Sequence, residues 1–309
     1  MNPDPTALSK FKNRITWDSL DKALLTKHLQ ICIEEDLGKN LDKQRLSNLD
    51  ITTRNCHLEG EGTAELVTRE QMIICGLYLI PLIIKEFTEY AVTFHTTYQD
   101  GELIEPNQTI GKIVGPETEI LIIERCALNF LQRLSGIATK ANEFVSKVED
   151  YGVSLLDTRK TTPGLRLLEK YASACGGCYN HRIGLFDRIL IKDNHLAAAG
   201  VTEGHELEKF LCDIVEENTG NVLIEIEVDK ISQINPAIES GVDAILLDNF
   251  TPTEIGQAVK EVQNKVVIEA SGGITEESIS EFAKARPHFI STGAPIHSSR
   301  WVDIGLDWK

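Results

Sequence analysis

A chain of 309 residues carrying 31 Lys+Arg against 47 Asp+Glu, a formal net charge of -16, is repelled by nucleic acid and anionic membranes, so neither is expected as a partner. Its 42% apolar content supports a sizeable core, with room for one large domain and a smaller one. No apolar run approaches the roughly 20 residues of a membrane span, and MNPDPTALSKFKNR lacks the apolar centre of a signal peptide, so a cytoplasmic location is expected.

The first 50 residues read as helical: Leu20, Leu24, Ile31 and Leu37 recur near helical spacing and Gly38 stops the pattern. GKNLDKQRLSNLDITT is polar and loop-like. From Gly62 to Gly115, short β-rich pieces such as GTAELVTRE and GELIEPNQTIGKIVG are punctuated by glycine and Pro-Asn, predicting a small α+β domain. A helical face returns between Glu117 and Tyr151, and Gly136 is a candidate break that would split it into two helices. Beyond Tyr151 apolar strands begin at 153, 188, 222, 243, 265 and 288, with helical patterns between them. Such a series predicts a parallel sheet with helices outside, an α/β barrel short of eight strands. A flat doubly wound sheet is the runner-up, and since no GxGxxG follows any strand its dinucleotide-binding version is disfavoured. The expected division is an N-terminal α+β domain over 1–124, with the tail 295–309 packing on it, and a barrel over 125–294.

The charge reverses sign between Asp157 and His195, where seven Lys/Arg meet four acids. On an acidic background such an island reads as a pocket for a small, multiply charged anion. Polar residues also follow every strand: Asp157/Arg159/Lys160, Lys192/Asp193, Glu227/Asp229, Asp248/Asn249, Ser271/Gly272/Gly273 and Thr292/Gly293. In a barrel these ends converge on the mouth that carries the active site. In VLIEIEVD, Ile224, Ile226 and Val228 share one face, so Glu225 and Glu227 should point inward, with Arg188 and Lys192. Lys192 is then expected near Glu227 at the mouth, and Arg188 near Glu225 or Glu269 deeper down. EASGGITEES and ISTGAPIHSS each place small residues between a strand and a helix, where backbone N–H groups can approach a phosphate. In TTPG, Thr162 is the expected N-cap of a helix with Pro163 at its first position. The seven cysteines are scattered and odd in number, as reduced core thiols are. Cys175 and Cys178 with His181 have the local look of a metal or redox site, but the pair follows a helix and a tight Gly-Gly turn is the favoured reading.

At these residues the sequence resembles the quinolinate phosphoribosyltransferase family. ERCALNFLQRLSGIAT, DTRKTTPGLR, KYA, CGG followed by NHR, LIKDNH, LLDN, SGGI and STGA are similar to family motifs in the same order. The resemblance implies an incomplete, open α/β barrel with a smaller N-terminal α+β sandwich domain. It implies transfer of ribose 5-phosphate from phosphoribosyl pyrophosphate to quinolinate, releasing pyrophosphate and CO2 and giving nicotinate mononucleotide, a step of NAD biosynthesis. Arg125 would then reach from one subunit of a homodimer into its partner's site. Arg159, His181, Arg182 and Lys192 would hold the two carboxylates of quinolinate. Lys160 would contact phosphoribosyl pyrophosphate, Glu227 and Asp248 its ribose hydroxyls and Mg²⁺, and Ser271, Gly272, Gly273, Gly293 and His297 its phosphates. Lys160, Lys192, Glu227 and Asp248 are the expected catalytic set. Two departures stand out: the longer connection near 38–50, and Cys178 where the family has a third glycine. Competing readings are a Schiff-base barrel lyase using Lys192 and a non-catalytic phosphometabolite-binding protein.

Overall fold

The computed structural model describes residues 5–38, 46–89, 91–220 and 222–309; the middle of the expected insertion near 38–50 lies outside the described residues. By internal contacts the chain divides into two compact units, residues 1–14 with 141–298 and residues 15–140 with 299–309. Among the described residues no helix is long and apolar enough to cross a membrane.

The chain opens with α1 (Pro5–Phe11), which belongs to the first unit. The second unit follows with α2 (Lys22–Leu37), α3 (Ile51–Asn55), β1 (Glu61–Thr68), β2 (Met72–Ile73), α4 (Ile80–Phe87), β3 (Thr93–His95), β4 (Leu103–Ile104) and β5 (Thr109–Pro116). Helix α5 (Glu117–Ser146) then runs into the first unit. An antiparallel sheet ordered β12-β1-β5-β3 takes its edge strand β12 (Ile304–Trp308) from the end of the chain. Strand β1 buries Ala64 and Leu66, and β5 buries Ile110 and Ile113.

Two helical expectations shift. The buried stripe of α2 is Leu25, Leu29 and Ile33, whereas Leu24 and Ile31 are exposed at 46% and 60%. Those two apolar residues misled the phase, since spacing alone does not say which stripe meets the core. Helix α5 passes unbroken through Gly136, where an added Cβ would lie 2.0 Å from the Arg300 carbonyl oxygen. This glycine serves close backbone approach, at a cost of about 1 kcal/mol in helix propensity.

The first unit carries β6 (Ser154–Leu156), α6 (Arg166–Cys175), β7 (Ile189–Ile191), α7 (Asp193–Ala199), α8 (Gly204–Glu217), β8 (Ile224–Val228), α9 (Ile234–Ser240), β9 (Ala244–Asp248), α10 (Pro252–Val262), β10 (Val267–Ser271), α11 (Ile279–Lys284), β11 (Phe289–Ser291) and α12 (Ala294–His297). The six strands form one parallel sheet ordered β6-β11-β10-β9-β8-β7. All six fall within two residues of their expected starts. Beyond β6 the sheet gains a parallel bridge from Leu156 to Tyr179, and β7 remains an edge, so the barrel is open. Each strand turns apolar residues to the helices: Leu155, Ile191, Ile226, Ile245, Ile268 and Ile290 lie in the apolar layer under them.

Helix α1 closes the amino-terminal end of this barrel. Phe11, fully buried, joins Ala244, Val267 and Phe289, the first residues of β9, β10 and β11, with its ring centroid 5.8 Å from that of Phe289. The expected division placed residues 1–14 with the N-terminal domain; of the described ones, Phe11 packs into the barrel, Asn13 accepts the Asn180 N–H at 2.7 Å and Arg14 donates to the Gly177 and Cys178 carbonyls. Phe11→Ala is expected to lower unfolding stability by about 3–5 kcal/mol, read as a drop in the urea midpoint; a change below about 1 kcal/mol would contradict this plugging role.

Candidate active site

The strand order sorts the mouth into two halves. Strands β6, β11 and β10 are neighbours and deliver Thr158, Gly293 and Ser271–Gly273, while β9, β8 and β7 deliver Asp248, Glu227 and Lys192.

On the first half backbone approaches backbone. A Cβ on Gly272, whose φ is +95°, would lie 2.3 Å from Asn249 Oδ1 and 2.6 Å from Asn249 N. Asn249 itself holds φ 59°, a conformation that asparagine tolerates better than most residues. A Cβ on Gly293 would sit 3.0 Å from Thr158 Oγ1 and 3.1 Å from His297 Nε2, so His297 reaches back over its loop. Thr158 Oγ1 also accepts the Lys160 N–H at 3.1 Å. Thr158 thus joins the expected strand-end residues, Asn249 among them, and its only sequence signal was its position just past a strand. Gly272→Ala combines a strained φ with a backbone clash, and we expect a rise of at least about 10-fold in KM for the phosphorylated substrate with little change for its partner. Steady-state titration of each substrate tests this; a parallel rise in both KM values would contradict it.

On the second half the charges alternate. Lys192 Nζ donates to Glu227 Oε2 at 2.7 Å, the contact expected from strand alternation. Asp248 is raised from the usual carboxylate range by partial burial and by Glu227, with Lys192 and Lys160 near enough to oppose the shift. A cleft of about 340 Å³ opens here, lined by Asp193, Glu227, Asp229 and Asp248 together with Leu196 and Val201 of the following segment. Glu227 and Asp248 are therefore adjacent hard oxygen donors of like charge, a set that suits Mg²⁺. Lys192 is held by Glu227, which occupies the nitrogen that a Schiff base would need.

Between the halves lies the basic stretch, organised by one buried carboxylate. Asp157 Oδ1 pairs with Lys170 Nζ, both side chains fully buried, and accepts the His181 N–H at 2.9 Å. Its Oδ2 accepts from Ser173 Oγ at 2.8 Å and Asn180 Nδ2 at 2.6 Å. Arg182 is buried, and burial and nearby Arg159 both act to lower its pKa. Arg159 Nε is buried with no hydrogen-bond partner. Two buried guanidinium groups on one segment, one with an unused donor, suit paired carboxylates.

Several expectations change in detail. Thr162 is not an N-cap: α6 starts at Arg166, after Gly164 at φ +84°, and the Thr162 amide and hydroxyl donate to Glu169. After Cys175, Gly177 turns the chain at φ +101°. Cys178 needs no positive φ and is fully buried, with burial pushing its thiol well above the usual range, so the departure from glycine leaves the turn intact. His181 faces the barrel interior, where Nε2 lies 3.3 Å from Glu225 and 3.5 Å from Glu269. Arg188 Nη1 pairs with Glu225 at 3.2 Å, one of the two carboxylates that alternation offered it. Arg125, exposed on α5, lies in the other unit.

An open α/β barrel with glycine loops, paired carboxylates and a cationic cradle at one mouth defines a transferase that joins a phosphorylated sugar to an anionic acceptor. The chain belongs to the quinolinate phosphoribosyltransferase family. Residues 137–307 match "Quinolinate phosphoribosyl transferase, C-terminal domain" and residues 50–135 match the N-terminal domain of the same family. It is 39% identical over 262 residues to a "Probable nicotinate-nucleotide pyrophosphorylase (carboxylating)" of Bacillus subtilis, covering 84% of this chain and 87% of the relative. A protein of the same description from Methanocaldococcus jannaschii is 40% identical over 268 residues, covering 84% and 91%. The solved nicotinate-nucleotide pyrophosphorylase from Francisella tularensis superposes with a TM-score of 0.86 at 35% identity, covering 96% of this chain and 100% of that one.

Proposed function

We propose that the protein transfers the 5-phosphoribosyl group of phosphoribosyl pyrophosphate to quinolinate with decarboxylation, giving nicotinate mononucleotide, pyrophosphate and CO2. The observation that carries this reading is the buried, unpartnered Arg159 Nε together with the buried Arg182, on a mouth whose other half is lined by carboxylates. A phosphosugar alone does not call for that pair; a diacid does.

In the reaction, Arg159, Arg182 and Lys192 orient the pyridine diacid so that its ring nitrogen faces the anomeric carbon. The Ser271–Gly273 and Gly293 loops, with His297, hold the 5-phosphate by backbone approach. Departure of pyrophosphate develops positive charge on the ribose ring, and the carboxylates of Glu227 and Asp248 stabilise it. Lys160 neutralises charge on the leaving group. Glu227 and Asp248 would also hold Mg²⁺, directly or through water, which when bound offsets pyrophosphate charge. No protein nucleophile is required.

Incubation of purified protein with quinolinate, phosphoribosyl pyrophosphate and Mg²⁺ should release pyrophosphate and form nicotinate mononucleotide, and chelation should abolish both. Absence of pyrophosphate in the complete mixture refutes the reading. We further infer that the enzyme is a homodimer in which Arg125 completes the partner's site. In that case Arg125→Ala mixed with Lys160→Ala should regain about a quarter of wild-type activity, because half the dimers are hybrid and each has one intact site. Verified hybrids without recovered activity would exclude site sharing.

A further inference from the structure

The transfer chemistry uses Arg159 and Arg182 and leaves Arg166, on the same basic stretch, without a task. By local rules Arg166 is also misplaced. It is the first residue of α6, and the preceding Leu165 offers no side-chain cap. A cation at that position opposes the helix dipole, so helix stability does not account for it. A residue that breaks a local rule answers to a partner elsewhere.

The partners are two loops. Arg166 Nε donates to Thr161 Oγ1 at 3.1 Å, and Nη1 donates to the Ile183 carbonyl at 3.1 Å. Thr161 stands two residues past Arg159, and its N–H donates to the Arg159 carbonyl at 3.0 Å, so its hydroxyl belongs to a turn that begins at Arg159. Ile183 directly follows Arg182. Its N–H is held by Asp187 Oδ2 at 2.7 Å, and the Arg182 guanidinium donates to the Arg188 carbonyl at 3.2 Å. One planar fork thus reaches from the loop of Arg159 to the loop of Arg182.

The roots of these loops are tied separately. The Asp157 N–H donates to the Tyr179 carbonyl at 3.0 Å, and the Asp157 carboxylate accepts the His181 N–H. Arg166 acts farther along the chain, past both cradle arginines. Buried Glu169 adds a pin on one side, accepting the Thr162 N–H at 2.8 Å and the Thr162 hydroxyl at 2.9 Å. Both bonds of the fork are charge-assisted and its geometry is rigid, so together they fix the gap between the loops. A diacid needs cations at a set spacing, whereas a monoacid needs only one of them.

We propose that Arg166 is a positioning residue whose fork sets the spacing of the Arg159 and Arg182 loops, and with it the preference for a pyridine diacid over a pyridine monoacid. This role rests on the diacid reading above, whereas the fork exists in the free protein.

Arg166→Met keeps the apolar stem and removes the fork. Calorimetric titration of the full-length protein should show quinolinate affinity weakened about 10- to 30-fold, with affinity for nicotinate, a monoacid, changed by less than about 3-fold. Thr161→Val removes one acceptor at nearly constant volume and should weaken quinolinate binding about 3- to 5-fold, while Thr161→Ser, which keeps the hydroxyl, should stay within about 2-fold of wild type. The double variant Thr161→Val/Arg166→Met should bind no worse than Arg166→Met, because the shared bond is already gone. Equal losses for quinolinate and nicotinate overturn the proposal. Losses that multiply in the double variant overturn it too, since they show the two side chains acting independently. Hydrogen exchange of the ligand-free protein needs no substrate: peptides spanning 158–165 and 182–187 should both exchange about 10-fold faster in Arg166→Met, with β9 and β10 unchanged. Unaltered exchange in either loop overturns the proposal even if wild-type protein binds no quinolinate, an outcome that would count against the diacid reading alone.

Discussion

Replacing Asp157 with alanine is expected to lower the free energy of unfolding by about 3–5 kcal/mol, because it leaves a buried charge without its partner. Lys170 lies with Asp157 at zero exposure, and burial already depresses its pKa against the pull of that carboxylate. The substitution also orphans donors from Ser173, Asn180 and the His181 amide. Asp157→Asn retains an acceptor but no charge, and should fall between alanine and wild type. Urea unfolding followed by tryptophan fluorescence measures all three, and a loss below about 1 kcal/mol in the alanine variant would remove Asp157 as the organiser of the basic stretch. The consequence reaches function, since Arg159, Lys160, His181 and Arg182 all lie on segments anchored by this carboxylate.

Arg159→Ala is expected to weaken quinolinate binding by about 100-fold while changing phosphoribosyl pyrophosphate binding by less than about 5-fold, the loss of charge-assisted hydrogen bonds to one carboxylate. Burial and the charge of Arg159 both act to lower the Arg182 pKa, so a bound dianion would offset the cost that Arg182 carries in the free protein. Removing the Arg159 guanidinium takes away that attraction. Arg159→Lys should recover only a small part, because an ammonium cannot match the planar fork. Calorimetry with each substrate separates the two affinities; equal losses for both would show that Arg159 serves the phosphosugar or the fold instead.

Strand periodicity made much of this site legible in advance. Inward alternation placed Lys192 against Glu227 and Arg188 against Glu225 or Glu269, and the structure gives 2.7 Å for Lys192–Glu227 and 3.2 Å for Arg188–Glu225. Periodicity carries that information because successive side chains on a strand point to opposite faces, so one buried apolar set fixes the direction of all the rest. Helix phase was less legible. Leu24 and Ile31 are as apolar as Leu25 and Leu29, and only the packed neighbours decide which stripe is covered. Gly136 looked like a break for the same reason: a glycine in a helical run signals weakness locally, while its cause lies at the Arg300 carbonyl, far along the chain.

By itself the sequence determined the alternation of strands and helices, the charged tips at the strand ends and the two small-residue loops, because these depend on residues a few positions apart. Tertiary structure alone decided that Phe11 plugs the barrel, that Gly136 yields to a distant carbonyl, and that the His181 ring turns inward. Each depends on a partner more than 40 residues away, and a buried group's orientation is set by whichever distant donor, acceptor or void it must satisfy.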